Sequence, residues 1–76
     1  MKYLVTFPST AYLMKAENVF KKNNIDIEIS PIPAKISSGC GLCILFNDIN
    51  FIINAIKENE YTSIYHNNDE FISIYK

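Results

Sequence analysis

The sequence predicts an α+β fold built as a split βαβ repeat, and three observations carry that reading. Isoleucine alternates strictly with polar residues over Ile25-Asp26-Ile27-Glu28-Ile29-Ser30, as expected of a strand with one buried and one wet face. Two other stretches, Ala11 to Lys22 and the residues after Asp48, space their apolar residues at helical intervals. Short apolar runs stand before and after each of those helices. The resulting order, βαββαβ plus a short C-terminal strand, is the ferredoxin-like arrangement. Both helices should then cover one face of an antiparallel sheet, within a single domain spanning 1–76.

Each element has a local reason. Tyr3 to Phe7 reads as the first strand, with Leu4, Val5 and Phe7 fitting a buried pleat. Pro8-Ser9-Thr10 breaks it and offers an N-cap hydroxyl. In the first helix Leu13, Ala16, Val19 and Phe20 share one face, while Lys15, Glu17, Lys21 and Lys22 take the rest. Asn23-Asn24 can stop it, because asparagine tolerates left-handed backbone. Pro31 and Pro33 end the isoleucine strand, and a loop runs from Lys35 to Gly41. Leu42 to Phe46 is apolar on both faces, as a central strand should be. Asp48 can cap the second helix, where Ile49, Ile52, Ile53 and Ile56 recur at i, i+3, i+4 and i+7. Thr62 to Tyr65 and Phe71 to Tyr75 are the remaining strands, with His66 to Asp69 as a polar turn.

Composition narrows the function classes. The net charge of −1 provides no basic footprint for nucleic acid, and the chain contains no arginine with which to clamp a phosphate. The apolar runs are far shorter than the ~20 residues that span a bilayer, and no signal peptide is visible. The expected location is the cytoplasm, where cysteines stay reduced unless they do chemistry. No cofactor-binding motif is present; no glycine-rich phosphate loop and no paired carboxylates stand out. A chain this small has surface to spare. If the helices cover one sheet face, some of Tyr3, Leu45, Tyr65, Ile72 and Ile74 must lie on the other, and a homodimer through that face or an edge is expected.

Nearly all candidate chemistry lies in Ser37-Ser38-Gly39-Cys40-Gly41-Leu42-Cys43, which holds both cysteines. A thiol between two glycines sits in backbone that lets another molecule approach closely, and a thiolate is nucleophilic without a metal. Right-handed crossovers place the first and third strands side by side and antiparallel. Cys40 should therefore lie near Pro8-Ser9-Thr10 and the first turn of the first helix, whose outward amides favour an anion. Ser9, Thr10, Ser37, Ser38, Gly39 and Gly41 form the expected thiolate-stabilising surround, and Lys35 could attract an acidic partner.

Other readings compete. Cys40-Gly41-Leu42-Cys43 has C-x-x-C spacing, so Cys43 is a candidate second thiol. Cα atoms three apart in a strand, however, are about 10 Å apart, beyond the ~7 Å reach of a disulfide. Cys43 reads better as a small core residue. Zinc would need about four ligands, and the two cysteines and His66 fall short, so no metal is expected. Cys40 could equally be an ordinary loop residue whose glycines serve only the turn.

Phe7-Pro8-Ser9-Thr10 leading to Lys15-Ala16-Glu17, then Pro31-Ile32-Pro33, then Ile36-Ser37-Ser38-Gly39-Cys40-Gly41 before a strand resembles the selenium/sulfur (Se/S) carrier protein-like family of small bacterial proteins. The resemblance covers nearly the whole chain and is most specific over Ile36 to Gly41. It implies a carrier, rather than an enzyme, that holds sulfur or selenium on a cysteine between a donor and an acceptor protein. Cys40 matches the family's cysteine position and Cys43 has no counterpart there. The Cys-Pro-x-Pro signature of the better-known bacterial sulfur carriers is missing. The rival expectation is a non-enzymatic docking or dimerisation module.

Overall fold

The computed structural model describes residues 1–36 and 40–75. Its elements follow the expected order: β1 (Tyr3–Thr6), α1 (Thr10–Lys22), β2 (Glu28–Pro31), β3 (Leu42–Phe46), α2 (Ile49–Ala55), a 3-10 turn (Glu58–Glu60), β4 (Ser63–His66) and β5 (Ser73–Tyr75). The five strands form one antiparallel sheet in the order β2-β3-β1-β4-β5. That is the ferredoxin-like order with β5 added beside β4.

Strand alternation sorts the sheet into two faces. Val5, Ile44 and Ile64 stand opposite one another on β1, β3 and β4 and face the helices. They join Leu13, Ala16, Phe20, Phe46, Ile52 and Ile56 in the main core. Phe20 is its hub, with ring centroids 5.8 Å from Phe46 and 5.3 Å from Phe51. The helices owe their ends to local chemistry. Asp48 caps α2, its Oδ1 accepting from the Phe51 amide at 3.0 Å. Asn23 ends α1, and Asn24 turns the chain out with a left-handed φ of 58°.

The opposite face carries a second, smaller cluster of Leu4, Ile36 and Cys43, with Ile32, Leu45, Tyr65 and Phe71 packed against it. Among the described residues no helical side chain belongs to this cluster. The covering groups come instead from the loop after β2 and the turn before β5, joined where the Lys35 ammonium donates to the Asp69 carbonyl at 2.8 Å.

Several expectations are corrected. The isoleucine run pairs only from Glu28, and Pro31 is its last residue rather than its stop. β2 is an edge strand, where proline's missing donor costs nothing. Ile25 and Ile27 pack against the core from outside any strand, and Ile29 is 40% exposed. α2 ends at Ala55; Ile56 is extended yet buried, and Ile53 is exposed. The strand expected over Phe71 to Tyr75 begins at Ser73, because Phe71 itself adopts a left-handed φ of 50°. Of the apolar residues considered for the second face, Leu45 and Tyr65 lie there, while Tyr3 and Ile74 pack on the helix side. His66 belongs to β4 rather than to a turn and lays its ring 5.7 Å from that of Tyr3.

A candidate thiol site at the first turn of α1

The site follows from the β1–β3 register. Thr6 stands opposite Cys43, so the chain leaving β1 and the chain entering β3 share one end of the sheet. Three residues before Cys43, half-buried Cys40 reaches the first residue of α1: its Sγ lies 3.6 Å from Thr10 Oγ1, and either atom can donate. The first amide bonded along α1 is that of Leu13, to the Ser9 carbonyl at 3.2 Å, so the earlier amides donate to nothing within the helix. The Ser9 side chain makes no capping bond, and no carboxylate occupies the first turn. The positive end of the helix dipole beside Cys40 is therefore not neutralised by an acidic side chain of that turn.

Gly41 lets the chain turn from this position into β3. Its φ of 78° is left-handed backbone that a side chain would strain, although a Cβ there would meet no atom within 4 Å. Its carbonyl accepts from the Ile32 amide at 3.1 Å, closing the base of the loop just beyond the Pro31–Leu42 pair. Ser37, Ser38 and Gly39, expected around the thiol, lie outside the described residues.

Cys43 occupies a different environment. It has no exposed surface, belongs to the Leu4 and Ile36 cluster, and directs its thiol to the Pro31 carbonyl at 3.9 Å. Burial, and secondarily the charge of Cys40, push its thiol up to about 11. Cys40 instead packs against the helix-side core. Both thiols are free, and they belong to opposite sides of the sheet, which accounts physically for the unpaired C-x-x-C. Among the described residues no group of three or more His, Cys, Asp or Glu side chains could hold a metal. His66 pairs with Tyr3 at the far end of β1 from Thr6, so it does not join the thiols.

The structure thus brings Thr10 to Cys40 and places Ser9 at the helix start without a bond to the sulfur. Lys35 is turned away to Asp69. Sequence reasoning missed Ile36 and Phe71 as neighbours of Cys43: Ile36 is an isolated apolar loop residue with no periodicity to mark it, and Phe71 reads as part of the last strand.

A family model described as "Putative Se/S carrier protein-like" matches residues 2–66. The chain belongs to that family. Its match takes in α1, the Cys40 loop and β3, and stops before the turn that leads to β5. Searches of curated proteins and of solved structures find no match. No helix among the described residues is long and apolar enough to cross a membrane.

Proposed function

We propose that this Se/S carrier-like protein accepts a chalcogen atom on Cys40 and passes it from a donor protein to an acceptor protein. One observation carries the reading: Cys40 is half-buried and lies at the uncapped, acid-free first turn of α1, within reach of the Thr10 hydroxyl. Family membership supports the carrier role at the coarser level.

In the sulfur version, the Cys40 thiolate attacks the terminal sulfur of a donor persulfide. A new S–S bond forms on Cys40 as the donor's S–S bond breaks, and the donor leaves as its thiolate. The exchange is redox-neutral: the departing donor thiolate takes up the proton of the transferred sulfur, so the single negative charge ends on the outer sulfur. Thr10 can donate to that charge, and the α1 dipole favours it. Ser9, Ser37 and Ser38 are further candidates for hydroxyl donation. Delivery reverses the step toward an acceptor thiol. The chemistry needs no metal or organic cofactor, and it suits the reduced thiols of the cytoplasm.

The test is intact mass after incubation with a cysteine persulfide donor. The expected result is a gain of one sulfur atom in wild type and Cys43→Ala, and none in Cys40→Ser. An unmodified protein, or a gain retained in Cys40→Ser, overturns the carrier mechanism. If the unmodified chain also elutes as a tight dimer, the docking-module reading replaces it.

A further inference from the structure

The turn between β4 and β5 is built with more constraint than a simple connection needs. Asn68 organises it: Oδ1 accepts from the Glu70 and Phe71 amides, each at 3.0 Å, and the carbonyl accepts from Phe71 at 3.3 Å. These bonds hold Phe71 at a φ of 50°, a left-handed conformation that is unfavourable for a non-glycine residue. A strained aromatic is retained only where its surroundings hold it. Phe71 packs against the cluster of Leu4, Ile36 and Cys43, and one turn bond away the Asp69 carbonyl accepts from Lys35. Lys35 and Ile36 form the stem of the loop that leads to Cys40, and Ile36 is only 8% exposed. The Lys35 tether and the Phe71 cover thus both come from the turn after β4, which lies beyond the 2–66 family match.

We propose that the turn Asn68–Phe71 is a clamp on the stem of the Cys40 loop. Lys35 to Asp69 ties the two segments together, while Phe71 seals Ile36 over Cys43. Displacing Phe71 frees Lys35 and Ile36 and uncovers the second thiol. The clamp stands whether or not Cys40 carries a chalcogen, and none of its readouts involves chalcogen loading.

Native-state amide exchange tests it at Ile32 and Ile36, whose amides bond to Gly41 and Pro33 within the loop. Lys35→Met keeps the apolar stem but removes the donor, and should speed exchange at both amides several-fold. Phe71→Ala should speed it about tenfold or more and make Cys43 open to alkylation in the folded protein. Val5 and Ile44, in the central ladder, should hold their wild-type rates in Lys35→Met. Lys35→Arg and Phe71→Leu, which restore a donor and an apolar group, should behave as wild type. Unchanged exchange at Ile32 and Ile36 in Lys35→Met overturns the clamp. So does an equal acceleration at every amide, which would mean that the turn contributes only to global stability. Lys35 is exposed, so its replacement leaves a folded protein on which the result can be read.

Discussion

The helix-covered face of the sheet and the loop-covered face bury their residues to a similar extent but hold them differently. On the helix side, two amphipathic elements lay Leu13, Ala16, Phe20 and Ile52 across three strands, giving a continuous core. On the other side, Leu4 and Cys43 are equally hidden, yet their cover is Ile36 and a few half-buried side chains from two irregular segments. Helices bring their own hydrogen bonds, whereas loops depend on single tethers such as Lys35 to Asp69. The comparison teaches that burial alone does not report how firmly a group is held. The two cysteines are divided along the same line: Cys40 belongs to the rim of the helix side, Cys43 to the interior of the loop side.

The largest expected effect tests the helix side. Phe20→Ala removes a fully buried ring between Phe46 and Phe51 and should cost about 3–5 kcal/mol. Leu4→Ala on the loop side should cost less, about 2–3 kcal/mol, because the loop can settle into the space. Urea melts of both variants give the ordering, and equal losses would break the distinction between the faces.

Alkaline stability sharpens it next. The Cys43 thiol rises from an ordinary 9.0 to about 11 on folding, so the folded state keeps a proton that the unfolded chain loses. Its contribution is fully present below pH 9.0 and is lost as pH climbs toward about 11. In that window wild type should lose on the order of 1–2 kcal/mol more than Cys43→Ala, in melts followed against pH. Parallel pH curves for the two proteins would mean that Cys43 is not held neutral by burial.

A smaller effect is expected at the α2 cap. Asp48→Ala should cost about 1 kcal/mol, because the Phe51 amide loses its acceptor. Asp48→Asn should recover most of that loss. Unfolding midpoints for the three proteins measure it.

These differences also explain what the sequence made legible. Leu42 to Phe46 is apolar on both faces because Ile44 and Phe46 face the helix-side core while Cys43 and Leu45 face the opposite cluster, and its bounds are read correctly. The helix faces are equally plain, since their buried residues repeat at helical spacing. The nearness of Cys40 to Thr10 was legible from topology, because crossover handedness fixes which strand ends meet. The isoleucine alternation over Ile25 to Ser30 misled in length. Periodicity marks an extended chain, but pairing begins only where β3 is alongside, at Glu28 opposite Leu45. The cover over Cys43 was not legible. Ile36 is an isolated large apolar residue in a loop, Phe71 reads as the start of a strand, and the left-handed turn at Phe71 has no glycine to announce it.

The most direct test of this account compares the alkylation rates of the two thiols, each alone in its own variant, at mildly alkaline pH. Burial, the larger cause of the raised Cys43 thiol, persists in Cys40→Ser and keeps its thiolate scarce, and its lack of exposed surface slows the reagent further. Cys40 in Cys43→Ala should therefore react at least about tenfold faster than Cys43 in Cys40→Ser while both proteins remain folded. Comparable rates, or faster reaction at Cys43, would contradict the division of the two thiols between the faces and leave Cys40 without its claim to be the carrier residue.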